Sequence, residues 1–212
     1  MKKAFFLSLI FLTVKSVNAQ SIGSYQSNSL ELSFGIDKVG FIGGNDFVID
    51  RIFCEDCDYQ AIRQEGFELN FSLTANKTYN NKHELIYGAG FNLWLYQIDE
   101  INGSTGQLKD MESTTTGLID LMLGYRYHLK EFKATSIFAE NIFHGEVNTS
   151  DRFNKLRFSV APGLGLMHLI NDKTKLISVI SYKQTLNNFS GLDHSQPKPY
   201  AFGIRFGLNK LL

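Results

Sequence analysis

Apolar and polar residues alternate with a period of two along most of this chain. Leu30, Leu32, Phe34 and Ile36 share one face against Glu31, Ser33 and Gly35. Phe67, Leu69, Phe71, Leu73 and Ala75 alternate with Glu68, Asn70, Ser72 and Thr74. A third run, Leu85 to Leu95, sets Tyr87, Ala89, Phe91 and Leu93 against Gly88, Gly90 and Asn92. A fourth, Thr115 to Leu129, sets Ile119, Leu121, Leu123, Tyr125 and Tyr127 against Asp120, Gly124, Arg126 and His128. Two more follow, Leu156 to Leu166 and Tyr200 to Leu208, with Arg157 and Arg205 on their polar faces. Successive side chains of a strand point to opposite faces, so this rhythm predicts strands with one apolar and one polar side. Lys133–Phe143 and Lys175–Thr185 alternate less cleanly; they are expected to be strands too, with a bulge in either.

The eight segments are joined by connections of 37–65, 76–84, 96–112, 130–132, 144–154, 171–174 and 186–199. Long and short alternate throughout. That is the asymmetry of a transmembrane barrel with short turns on one side of the membrane and long loops on the other. The faces agree with it. The polar side is rich in small residues and single charges, which suits the crowded interior of a small barrel, and the bulky apolar side suits lipid. The fold expected is all-β: an eight-stranded antiparallel transmembrane β-barrel in up-and-down order.

The start of the chain has a different pattern. Lys2 and Lys3 precede an apolar run from Ala4 to Val14, followed by Val17-Asn18-Ala19. A positive start, a short apolar centre and a small residue before the cut describe a secretory signal peptide. The run falls short of the ~20 residues of a membrane helix. The expected organisation is a signal peptide over residues 1–19, a short polar segment over 20–29 and a barrel domain over 30–212. No Cys follows Ala19 before the barrel, so no lipid anchor is expected there. The 212 residues suit one domain. A net charge of zero with no basic run gives no reason to expect a nucleic-acid partner. Only 3 Pro beside 18 Phe and 9 Tyr favours strands over disorder.

In this pattern the chain resembles the small eight-stranded outer-membrane barrels of Gram-negative bacteria, the outer-membrane β-barrel or porin-type family. Its end carries the most specific resemblance. The family's insertion signal has the form polar–x–Gly–x–x–aromatic–x–hydrophobic, matched by Gly203, Phe206 and Leu208, while Ala201 stands where a polar residue is usual. The resemblance implies outer-membrane lipids as surroundings and the barrel assembly machinery as a partner during biogenesis.

Candidate chemistry is sparse. Cys54 and Cys57 fall in the first long loop, where a disulfide staple, a redox pair and half of a metal site compete. An oxidising compartment favours the staple. No helix start is at hand to activate a thiol, and no nearby His or Cys completes a zinc site. Neither a metal nor another cofactor is therefore expected. His144 with Glu146, and Asp193-His194-Ser195, are the only groupings fit for acyl chemistry on lipid. They lack the His-x-Ser-Asn order of the barrel deacylases, so no catalytic residues are assigned. Glu31, Glu68, Asp120, Arg126, Arg157 and Arg205 are expected to pair inside the lumen, because an isolated buried charge is costly. Glu31 and Arg205 in particular should approach each other where the first and last strands close the barrel. Tyr87, Tyr125, Tyr127 and Phe206 suit an interfacial girdle.

The function expected is that of a non-enzymatic outer-membrane barrel with a largely filled lumen and a structural, surface-interaction or minor permeability role. The alternatives are a lipid-modifying barrel enzyme and a soluble secreted barrel that binds a small apolar ligand.

Overall fold

The computed structural model describes residues 26–41, 46–48, 60–102, 108–149, 156–187 and 199–212. The expected signal peptide and the Cys54–Cys57 pair lie outside these residues. So does the Asp193-His194-Ser195 grouping.

The described residues form strands and turns, with no helix among them. The strands are β1 (Gln26–Phe41), β2 (Asp46–Val48), β3 (Gln60–Tyr79), β4 (His83–Asn102) and β5 (Leu108–Phe132). After them come β6 (Thr135–Asn148), β7 (Leu156–Asn171), β8 (Thr174–Thr185) and β9 (Pro199–Leu211). Each long strand pairs antiparallel with the next in the chain, and β1 pairs with both β3 and β9. The sheet therefore closes on itself as an eight-stranded up-and-down barrel, as the alternation predicts. Closure leaves no unpaired edge among the eight strands. The ninth strand, β2, is three residues long and extends the sheet by pairing with Ala61–Arg63 of β3.

The strands outrun the apolar segments that announced them. β1 begins at Gln26, inside the expected polar segment, and β3 begins at Gln60, inside the expected first loop. β6 reaches Asn148, so Glu146 is a strand residue and not part of a loop starting at His144. The residues added at these strand ends do not keep the period-two hydrophobic pattern, which therefore gives no signal there.

At one end of the barrel, β3–β4, β5–β6 and β7–β8 join through turns at 80–82, 133–134 and 172–173. Asn80 and Asn81 sit in the left-handed region with φ of 52° and 57°. That conformation matches the twist of a tight hairpin, and Asn tolerates it better than most residues. The other connections are longer and cluster at the opposite end.

The faces are those the alternation assigns. Leu32, Leu73, Leu121, Leu164, Phe202 and Phe206 point outward and are exposed, and so do the alternate residues of every long strand. Glu31, Glu68, Asp120, Arg126 and Arg157 point inward and are buried. The interior is not wholly polar, however. Phe138, Met167, Ile177 and Val179 form an apolar cluster inside the lumen, and Ile86, Leu118 and Ile142 are also buried there. This explains the two unclear segments. β6 and β8 carry apolar residues on both faces: Phe138 and Ile142 inside with Phe143 outside, Ile177 and Val179 inside with Ile180 outside. The bulges lie on their neighbours instead, with Leu129 extra on β5 and Ile170 extra on β7. The β7–β8 ladder also skips Ala161 and Pro162, a gap that fits proline's missing N–H.

Candidate functional site: two ion-pair layers in the lumen

Charged side chains cross the barrel in two layers. The layer nearer the short turns is centred on Arg126, which the cross-strand register places between Glu84 of β4 and Glu140 of β6. Its guanidinium donates to Glu84 at 3.1 Å, to Glu140 at 2.9 Å and across the lumen to Glu31 at 3.1 Å. Three carboxylates around one guanidinium use its fork of five N–H donors, which an ammonium lacks. Arg126 also lies over the Phe138 ring, 4.4 Å from its centroid. Asn76 donates to Glu31 at 2.9 Å, and His128 stands between Glu84 and the Ser136 hydroxyl.

Arg205 pairs with Glu140 and lies 4.0 Å from Glu31. The register sets Arg205 opposite Gly35 and Glu31 opposite Asn209, a stagger of four residues. The long arginine side chain spans that stagger, and Glu140 bridges Arg205 and Arg126, one oxygen to each. The first and last strands are thus joined by charge as well as by hydrogen bonds.

The second layer lies nearer the long connections. Arg157 donates to Glu68 at 2.9 Å and to both oxygens of Glu146, one of them at 2.7 Å. Lys183 donates to Glu68 at 2.5 Å and to Glu146 at 2.6 Å. Asn92 donates to Glu146 at 2.7 Å, and Ser159 does so at 3.2 Å. Trp94 stands beneath Arg157, whose guanidinium carbon is 5.4 Å from the ring. Glu146 is fully buried and surrounded by donors, so it is no partner for His144 in a loop-borne active site. His144 instead contacts Asp120 through Nδ1 at 2.7 Å.

The six charged residues singled out by sequence thus fall into these layers, except Asp120, which lies between them. Sequence reasoning missed Glu84, Glu140, Glu146 and Lys183, which complete the pairing. A signal was present. Once Arg126 is inward, antiparallel pairing makes its cross-strand neighbours inward too, and both are glutamates.

Gly203, Phe206 and Leu208 divide between the faces. Phe206 and Leu208 are outward. Gly203 is inward, where a Cβ would collide with the Asp37 carboxylate and the Ile36 backbone. Packing therefore requires a glycine at this position. Tyr125 meets His83 by a side-chain hydrogen bond near the turn end, with Tyr127 5.1 Å from the same imidazole. At the other end Tyr182 stacks on Tyr200, with centroids 5.9 Å apart.

A cavity of about 270 Å³ opens at the turn end, bounded by Ser29, Glu84, His128, Met167 and Asn209 among others. A second cavity of about 50 Å³ lies between the layers, lined by Glu140, Arg205 and Lys183 among others. Among the described residues no group of three His, Cys, Asp or Glu side chains could hold a metal ion.

No protein-family model matches the chain, and no curated protein matches it. Solved structures share its architecture, two of them as follows. Neisserial surface protein A aligns with a TM-score of 0.52 at 10% identity, over 86% of this chain and 96% of its own. The outer membrane protein OprG of Pseudomonas aeruginosa aligns with a TM-score of 0.50 at 10% identity, over 91% and 99%. At such identity the likeness establishes the fold: this chain is an eight-stranded up-and-down β-barrel of the architecture those proteins have.

Proposed function

We propose that the protein is an integral outer-membrane β-barrel whose lumen is filled, with a non-enzymatic structural or surface-interaction role. The observation that carries this reading is the inversion of the usual soluble pattern. Leucine and phenylalanine cover the outside on all sides while buried glutamates and arginines pair within. An exposed apolar belt closed around a whole domain far exceeds the patches a soluble monomer carries, and lipid is the solvent that suits it. The two similar structures are those of a surface protein and an outer membrane protein, which agrees with that setting.

Two layers of mutually satisfied charge close the bore, so the reading assigns at most minor permeability to the barrel. The long connections would face outward and the short turns the periplasm, as is usual for such barrels. Residues 1–19 would direct export and be removed after Ala19. Phe206 and Leu208, outward on the last strand, would serve recognition by the assembly machinery.

Cell fractionation with gel mobility before and after boiling tests the reading. The protein is expected in the outer-membrane fraction, running faster unboiled than boiled, and without steady conductance in planar bilayers. Recovery in the soluble fraction overturns it.

A further inference from the structure

The outer face changes character toward the short-turn end. Each of the three turns carries a lysine: Lys82, Lys133 and Lys173. Three strands add an outward lysine at the edge of the apolar belt, Lys77 on β3, Lys130 on β5 and Lys210 on β9. The register fixes their direction, because residues directly opposite in an antiparallel ladder share a face. Lys77 lies opposite Leu85 and Lys210 opposite Leu30, both exposed, and Lys130 lies opposite Ile137, itself opposite exposed Leu166. Lys77 is half-buried and the other five are exposed. None of them is in an ion pair; among the described residues Lys183 is the one lysine so engaged. Nearby acids do not balance them. Asp172 stands in a turn, while Glu131 faces the bore, where it lines the larger cavity together with Lys175. Toward the middle of the barrel the outward side is apolar at once, with Leu73, Leu129 and Leu208 exposed.

Two of the outward lysines show where their charge is held. The Lys77 ammonium lies over the Tyr79 ring, 5.4 Å from its centroid, and the Lys130 ammonium lies over the Phe132 ring at 5.0 Å. In each case the ring is two residues closer to the turn, so the ammonium is carried away from the belt and toward water. A lysine at a membrane edge does this, laying its methylenes on apolar surface and its charge at headgroup level. Tyrosines gather at the same level, and Tyr79 and Tyr127 stand in this band. We infer that this collar of lysines binds the headgroups of anionic phospholipids, in preference to zwitterionic ones, around the short-turn end of the barrel. A zwitterionic headgroup brings its own cation, which lysines without acidic partners repel. An anionic headgroup brings the phosphate charge without that cation, and each lysine near such a surface adds to the attraction. A soluble acidic partner would meet the turn lysines end-on, whereas Lys77, Lys130 and Lys210 flank the belt and are placed for lipid. The inference rests on the membrane reading above.

The test places a reporter beside the collar: Leu85→Trp, opposite Lys77, in a Trp94→Phe background. The protein is inserted into vesicles of phosphatidylcholine mixed with phosphatidylglycerol, in which one lipid or the other carries bromine near its headgroup. Quenching by brominated phosphatidylglycerol is expected to exceed quenching by brominated phosphatidylcholine at the same mole fraction. The excess should fall when Lys77→Gln, Lys130→Gln and Lys210→Gln are combined, and should shrink in high salt, which screens exposed charge. Should Leu85→Trp fail to insert where the unaltered protein does, Leu208→Trp, close to Lys210 on the same outward face, takes its place. Equal quenching by the two lipids in inserted protein overturns the inference alone and leaves the membrane reading standing. So does an excess that is unchanged in the inserted triple variant. Failure of the unaltered protein to insert, judged by gel mobility before and after boiling, overturns the membrane reading and the inference with it.

Discussion

Arg126 and Glu31, ninety-five residues apart in sequence, meet at 3.1 Å inside the barrel with both side chains almost wholly shielded. The contact ties β5 to β1 across the bore, while Arg205 carries the same layer to β9. Backbone pairing holds each strand only to its two neighbours. Side chains in the lumen are the means by which opposite walls are joined.

From this a first prediction follows. Arg126→Met leaves Glu31, Glu84 and Glu140 together without their shared cation. Breaking a buried pair by removing one partner costs about 3–5 kcal/mol. The variant should lose that much stability by urea titration in micelles. Arg126→Lys keeps the charge but not the fork, and should lose less. Midpoints of both variants equal to the unaltered protein's would contradict a structural role for the layer.

The fold was legible because six facts reinforced one another: clean alternation in the segments of β1, β3, β4, β5, β7 and β9. The site was half legible. Arg126 and Glu31 stand out as lone charges among small residues on an otherwise regular strand. Glu140 and Lys183 do not, because β6 and β8 place Phe138, Ile142, Ile177 and Val179 inside, and apolar residues on both faces erase the period. Glu146 was hidden differently. The outward side of its strand end holds Gly145 and Val147 in place of large residues, so the strand reads as a loop beginning at His144. What the alternation cannot carry is which charge pairs with which; that needs the register.

A second prediction concerns neighbouring residues on opposite faces. Leu121 is 61% exposed and Met122 is 6% exposed. In a soluble protein a lysine would be tolerated at the first and harmful at the second. Here the order should reverse. Leu121→Lys puts an ammonium in the belt, at about 2–4 kcal/mol near a bilayer midplane. Met122→Lys puts it in the acid-lined cavity beside Asp120. Folded fraction in lipid vesicles measures both. Gly124 is no substitute as the lumen position, because a Cβ there would lie 2.9 Å from Ile142 Cγ1 and 3.0 Å from the Asn141 oxygen. Better folding of Leu121→Lys than of Met122→Lys would mean the faces are reversed.

A third uses the single tryptophan. Trp94 is 2% exposed and lies in the lumen under Arg157. Its fluorescence in vesicles should be quenched weakly by brominated lipid tails and weakly by iodide. Replacing outward Phe91 with Trp in a Trp94→Phe background should give strong quenching by the lipid. Strong lipid quenching of Trp94 itself would place the ring outside the barrel.

The last prediction concerns the β3–β4 turn. Asn80 and Asn81 both have positive φ, and the Lys82 amide donates to the Tyr79 carbonyl at 3.3 Å across them. A left-handed backbone costs an ordinary L-residue about 1–2 kcal/mol, while glycine adopts it freely. Asn81→Gly should therefore fold as stably as the unaltered protein, or slightly better. Asn81→Val should be destabilised by roughly that cost, since a β-branched residue is the least suited to positive φ. The turn precedes the strand that carries Glu84, so a displaced hairpin would also pull a carboxylate from Arg126. The loss in Asn81→Val should consequently shrink in an Arg126→Met background, where that contact is already absent. Stability titrations of the two single variants and the double variant give the coupling. A loss that is unchanged in the double variant would show that the turn acts on the backbone alone, without reaching the ion-pair layer.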